Sequence, residues 1–231
     1  MSAASDMLRG VRIIAGTFRS RPLQAPPGLA TRPSSDRLRE TLFNVLAPRI
    51  AGAFFLDLYA GSGAVGLEAL SRGAEHVVFV ERAPAALKVL RTNIESLNIK
   101  AGFGLQAGSV RESLRRLAKQ SRAFDVVFLD PPYDALDEYE ATLRALGGVE
   151  TSPRSPKARD LRPTNKGLSV GESPDLGHPF SILTEGAVVI AEHRRKEQLD
   201  DQYGALGRTR LLEQGDAALS FYETLERPDG A

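Results

Sequence analysis

Cysteine is absent from the 231 residues of this chain. Disulfides and thiolate metal sites are thereby excluded, and the fold must be held by burial alone. Histidine is scarce too. Only His76, His178 and His193 occur, with no H-E-x-x-H spacing, so no metal is expected. No apolar run approaches the roughly 18 residues that cross a bilayer, and the N-terminal stretch lacks the basic-then-apolar order of a secretion signal. These absences predict a cytoplasmic protein with no membrane partner. The 42% hydrophobic content suffices for a real core, in one large α/β domain or two small ones.

Net charge is also nearly absent, at +1, but its distribution is uneven. Residues 1–50 carry eight arginines (Arg9, Arg12, Arg19, Arg21, Arg32, Arg37, Arg39, Arg49) against Asp6, Asp36 and Glu40, and no lysine. Guanidinium pairs bidentately with phosphate oxygens, so this segment suits a nucleic-acid backbone; a solvated basic face is the plain alternative. Arg19, Arg21, Arg32 and Arg37 are the candidate RNA contacts, joined by His193 and Arg194 from the later cluster His193-Arg194-Arg195-Lys196. Val11 to Ala15 alternates like a short strand, and Pro22, Pro26, Pro27 and Gly28 forbid a helix after it. A helix over Arg37–Leu46 follows, with Ser34 or Ser35 as its cap. Residues 1–49 thus read as a small basic β/α extension, and 50–225 as the main domain.

The main domain is organised around Phe124 to Tyr133, F-D-V-V-F-L-D-P-P-Y. Val126 to Leu129 form an apolar run that suits a parallel strand covered on both faces. Pro131 and Pro132 cannot donate to a sheet ladder, so the strand ends at Asp130 and the chain leaves it extended. A carboxylate, two carbonyls and the Tyr133 ring then stand at the carboxyl end of a buried strand, where open α/β sheets bind ligands. That set suits methylation of an exocyclic amino group on a planar base. Such a nitrogen is a poor nucleophile until both its hydrogens are accepted, here by Asp130 and the Pro131 carbonyl, with Tyr133 stacked on the ring.

A second apolar run, Phe54 to Leu58, precedes Tyr59-Ala60-Gly61-Ser62-Gly63-Ala64-Val65-Gly66 and a helix from Leu67 to Arg72. Glycines at 61, 63 and 66 fit G-x-G-x-x-G, a turn that admits a ligand to a helix N-terminus. A dehydrogenase shares that motif, but Asp57 so close before it favours hydroxyls or an ammonium over a pyrophosphate. His76 to Val80 leads to Glu81, spaced to accept ribose hydroxyls, with Arg82 beside it. Together with Asp130 these residues describe a nucleoside site, and the cofactor implied is S-adenosyl-L-methionine. Tyr59, Ala60, Gly61, Ser62, Gly63 and Gly66 would cradle it, and Ser109, in a turn after Gly104–Ala107, would flank adenine. Helices are expected over Pro84–Leu97, Ser113–Lys119 and Ala135–Leu146. Glu150 to Pro179 holds five prolines and almost nothing apolar, so a mobile insertion is expected there. Ala187 to Ala191, ending at Glu192-His193, and a hairpin from Thr209–Leu212 to Ala218–Tyr222 close the chain. The fold expected is a doubly wound Rossmann-like sheet of about seven strands, with the last hairpin antiparallel.

Val11–Arg21, the string Arg32-Pro33-Ser34-Ser35-Asp36-Arg37-Leu38-Arg39-Glu40-Thr41-Leu42-Phe43-Asn44, Asp57–Gly73 and Asp130–Tyr133 resemble the RsmD family, over nearly all of residues 9–225 outside the insertion. That family methylates N2 of a guanine in 16S ribosomal RNA. The resemblance implies a class I S-adenosylmethionine-dependent methyltransferase, cofactor binding by Asp57, the 61–66 loop and Glu81, and catalysis by Asp130, Pro131, Pro132 and Tyr133. It implies 16S rRNA as partner, within an assembling small subunit, and a monomeric enzyme. Gly108-Ser109 departs from the Asp or Asn that relatives place beside adenine. The alternative is an amino-methyltransferase of another RNA or DNA base, at adenine N6 or cytosine N4, although no span here supplies a DNA-recognition domain. A dehydrogenase leaves Asp130-Pro-Pro-Tyr133 unexplained, and a non-catalytic RNA-binding module has no use for a nucleoside site.

Overall fold

The computed structural model describes residues 11–26, 33–132, 136–149 and 182–225, with the side chains of 33–35 left aside. The expected insertion at 150–179, Arg32 and Tyr133 lie outside the described residues. Strands β1 (Phe54–Leu58), β2 (His76–Glu81), β3 (Phe103–Ala107), β4 (Phe124–Leu129) and β5 (Leu183–Arg194) are parallel. Helices α2 (Ala64–Ser71), α3 (Pro84–Ser96), α4 (Val110–Lys119) and α5 (Leu136–Leu146) follow β1 to β4 in turn, and α1 (Pro33–Ile50) precedes them all. The sheet continues antiparallel through β8 (Ala217–Thr224), β7 (Leu206–Gln214) and β6 (Gln202–Tyr203), in the order β3-β2-β1-β4-β5-β8-β7-β6. The two-residue β6 makes eight strands where about seven were expected. It is too short to leave a periodic signature.

Alternate strand residues separate two cores. Phe55, Phe79, Phe128 and Ile190 face one layer, filled by Leu42, Phe43 and Leu46 of α1, Leu67 of α2 and Leu90 of α3. Leu58, Val80, Leu129 and Ala191 face the other, with Leu114 and Leu117 of α4 and Leu143 of α5. Period-two alternation in the strands is what sorts them. The order reverses between β1 and β4, which opens the crevice at the carboxyl ends of those two strands.

Several boundaries differ from expectation. α1 starts at Pro33, so Ser34 and Ser35 lie in its first turn instead of before it; a proline there has helical φ already and needs no hydrogen-bonded N–H. α2 starts directly after Gly63, whose φ of 80° makes the turn, three residues before the expected Leu67. β5 runs on to Arg194 because β8 pairs with it as far as that residue.

The N-terminal ribbon is not a free arm. Val11 to Ala15 forms a single bridge, Arg12 to Pro22, with Ile13 donating to the Arg21 carbonyl and Leu23 to that of Val11. Val11, Ile13 and Leu23 enter the same core as α1. Buried Glu68 of α2 accepts the N–H groups of Ile14 and Ala15 at 2.7 and 3.0 Å, and Ser71 Oγ accepts that of Phe18 at 2.9 Å. Asn93 of α3 binds Gln24 through both its backbone groups and donates to the Ser62 carbonyl at 2.9 Å.

Candidate active site

One cleft of about 790 Å³ lies across the carboxyl ends of β1, β2, β4 and β5. It is large enough for a nucleoside cofactor and a base together. Four acids reach it by the same route. Asp57, Glu81 and Glu192 each sit two residues beyond a first-layer core residue on their strand, Phe55, Phe79 and Ile190, so alternation aims them at the same side. Asp130 follows Phe128 in the same way, just past the end of β4.

The four are held differently. Asp57, only 2% exposed, accepts the Gly66 N–H at 2.9 Å. Glu81 accepts Gly61 N–H at 2.8 Å through one oxygen and Ala83 N–H at 2.7 Å through the other, which fixes its carboxylate while leaving lone pairs for a ligand's hydroxyls. The carboxylates of Asp130 and Glu192 have no hydrogen-bond donor among the described residues, although the Glu192 carbonyl accepts from the Tyr139 hydroxyl at 2.6 Å. Desolvation by the cleft walls pushes Asp130 up to about 7. Burial raises Asp57 to about 8, opposed by the Gly66 N–H and reinforced by Asp130 and Glu81. Glu192 rises well above the usual carboxylate range, first from desolvation and then from the charge of Asp130, with Arg39 pulling it back.

The glycine loop divides its labour. Tyr59, Ala60, Gly61 and Ser62 line the cleft, and Tyr59 takes a positive φ of 63°, a strained value of the kind that collects at functional sites. Its hydroxyl donates to Glu138 at 2.7 Å and meets Thr142 at 3.0 Å, which pins the ring to α5. Gly63 and Gly66 do not line the cleft; they act behind it. A Cβ on Gly66 would meet the Phe79 ring at 2.2 Å, so glycine there lets α2 pack on β2 and give its N–H to Asp57. Arg82 lies at the rim, paired with Glu138 at 3.3 Å. Ser109 lines the cleft as the N-cap of α4, its hydroxyl already engaged with the Glu112 amide and carboxylate. Pro131 and Pro132 line it beside Asp130.

The expected RNA contacts fare unequally. Arg19, Arg21 and Arg37 are exposed, and Arg21 gives its Nη2 to the Ser96 carbonyl at 2.8 Å. Arg194 is half-buried. His193 is a correction: at 4% exposure it presents no surface to RNA. Strand alternation turns it into the second core, where its Nε2 meets Ser220 Oγ at 2.9 Å and its ring stands edge-on to Tyr139.

Glu192 and Arg39 are among the cleft residues that the sequence motifs do not mark. Glu192 follows an apolar run just as Asp57, Glu81 and Asp130 do, and that pattern is the signal for it, masked by the basic cluster after it. Arg39 was counted with the basic face. Its spacing to Leu42, Phe43 and Leu46, three, four and seven residues on, places it instead on the buried side of α1, and it is 7% exposed.

The model of the family described as Conserved hypothetical protein 95 matches residues 11–151, more than half of the chain. The chain belongs to the RsmD family. YlbH of Bacillus subtilis is 31% identical over 213 residues, 92% of this chain and 98% of that protein. Ribosomal RNA small subunit methyltransferase D of Escherichia coli is 44% identical over 123 residues, 53% of this chain and 60% of the relative. The solved structure of the Escherichia coli protein yhhF superposes with a TM-score of 0.68 at 27% identity, covering 94% of this chain and 99% of that one. The architecture is that of a class I methyltransferase, with the antiparallel C-terminal hairpin expected of it.

Proposed function

We propose that the protein transfers a methyl group from S-adenosyl-L-methionine to the N2 amino group of a guanine in 16S ribosomal RNA. The observation that carries this reading is the convergence of Asp57, Glu81 and Asp130 on one cleft, with Asp130-Pro131-Pro132 at the topological switch point. RsmD relatives named for small-subunit rRNA support the substrate.

The residues fit the cofactor. Glu81, immobilised by two backbone amides, is preset to accept ribose hydroxyls, and the acid-rich walls suit a ligand bearing a sulfonium and an ammonium group. S-adenosyl-L-methionine, when bound, supplies an electrophilic methyl group. Asp130 and the Pro131 carbonyl accept the two N2 hydrogens and hold the nitrogen with its lone pair out of the base plane. Neither Pro131 nor Pro132 has an N–H to compete for those acceptors. A carboxylate raised to about 7 is matched to take the proton that the methylated amine sheds near neutral pH. Arg19 and Arg37 contact the phosphate backbone, and the substrate is the assembling small subunit, bound by a monomer.

The test is to digest 16S rRNA from cells lacking the gene and to map modified nucleosides by mass spectrometry. One N2-methylguanosine should vanish and return when the purified enzyme and cofactor are added. An unchanged set of modifications, or a loss at an adenine or cytosine, would overturn the reading.

A further inference from the structure

Glu192 and Arg39 occupy the cleft without a part in the chemistry above. Glu192 stands beside Asp130, because Leu129 and Ala191 are register partners on adjacent parallel strands and each acid is the next residue. Arg39 enters the cleft from α1 and acts electrostatically on Glu192, whereas no such influence reaches Asp130. Its Nη2 is anchored, donating to the Arg12 carbonyl at 2.7 Å and to Asp36 at 3.0 Å. Its Nε is shut away against Glu68 at 4.0 Å, which leaves Nη1, without a hydrogen-bond partner among the described residues, as the nitrogen a ligand in the cleft can reach. A charged side chain this deeply buried, anchored at one nitrogen and short of partners at another, is a costly arrangement unless a ligand completes it.

The order of groups across the floor is therefore acceptor, acceptor, donor: Asp130, Glu192, Arg39. The Watson–Crick edge of guanine reads, from its amino group, donor at N2, donor at N1 and acceptor at O6. Adenine offers a donor, an acceptor and a C–H; cytosine offers a donor and two acceptors. With either, a ring nitrogen lone pair would face the Glu192 carboxylate. We propose that Glu192 and Arg39 select the target base, Glu192 by accepting N1–H and Arg39 by donating to O6. This rests on the guanine N2 reading and supplies its specificity.

The experiment uses small-subunit RNA carrying either guanine or 2-aminopurine at the mapped position. 2-Aminopurine keeps the reacting amino group but has an acceptor at N1 and hydrogen in place of O6, and its fluorescence reports binding without turnover. The wild-type enzyme should favour guanine by about 100-fold or more in kcat/KM, as sites built to hydrogen-bond a group reject its absence strongly. Glu192→Gln, which can donate to the ring nitrogen of 2-aminopurine, should raise the 2-aminopurine-to-guanine ratio about tenfold or more and tighten 2-aminopurine binding. Arg39→Met should raise the same ratio by weakening guanine alone. Calorimetric affinity for S-adenosylhomocysteine should be unchanged in Glu192→Gln. A purely structural role would depress both substrates equally and leave the ratio at its wild-type value, which would overturn the inference. If the wild-type enzyme makes no N2-methylguanosine, it is the parent reading that fails.

Discussion

The parallel and antiparallel halves of the sheet treat buried polar groups in opposite ways. In the antiparallel half they are matched: buried His193 meets buried Ser220, Nε2 to Oγ at 2.9 Å. At the carboxyl ends of the parallel half, the carboxylates of Asp130 and Glu192 are desolvated without a hydrogen-bond donor among the described residues. Glu192 and His193 are neighbours on β5, one on each side of that divide. Unmatched charge is expensive for the free protein and is kept where a ligand will match it.

The largest test of this contrast pairs two substitutions. Asp130→Ala should cut turnover at least about 100-fold, because its acceptor works mainly in the transition state, while the melting temperature at pH 8 should not fall. His193→Ala should do the reverse, costing about 1–3 kcal/mol of stability by removing the buried bond to Ser220 and the ring packed on Tyr139, while turnover per folded molecule holds. If Asp130→Ala were active, or if His193→Ala were inactive yet folded, the division would be wrong.

The next effect is on pH dependence. Asp57 and Asp130 are raised to about 8 and about 7 from an ordinary 3.8, and Glu192 is raised as well. The folded, ligand-free state thus binds protons more tightly than the unfolded chain. The stability these groups contribute is complete below about pH 4 and is lost as pH rises through 7 to 8. A cationic ligand favours ionised Asp57 and Asp130, so affinity for S-adenosylmethionine should rise between pH 6 and 8, by at most about tenfold per unit for each proton released. Calorimetry in buffers of different ionisation enthalpy would count those protons. A flat profile would mean that the acids are already charged in the free protein.

The smallest effect concerns the rim. Charge reversal at Arg19 and Arg37 together should lower the slope of log affinity against log salt by roughly 0.7 to 1 for each phosphate no longer neutralised, with cofactor binding intact. An unchanged slope would return both to an ordinary solvated face.

Much of this was legible beforehand because it depends on local pattern. The β1, β2 and β4 runs, the glycine turn and Asp130 before two prolines each declare themselves within ten residues. What was hidden depends on pairing between distant segments. β5 extends to Arg194 only because β8 lies against it, and that extension is what buries His193 and aims Glu192 into the cleft. Arg39 looked like one basic residue among eight; only docking of α1 under the ribbon, where Arg12 and Asp36 anchor it, makes it part of the floor. Ser109 and Gly66 both engage their own neighbours, Glu112 and Asp57, a distinction that spacing cannot draw.

Glu68 carries a consequence for how such chains diverge. Wholly buried, it is balanced by two ribbon amides and by Arg72 at 2.7 Å. A lineage that lost the ribbon would leave the carboxylate with Arg72 and without its two amides, at a cost of about 1–3 kcal/mol for each charged bond lost. A lineage that lost the carboxylate would strand the amides. Ribbon and residue 68 are therefore inherited as a single character: relatives in which one has drifted should be those in which the other has been replaced.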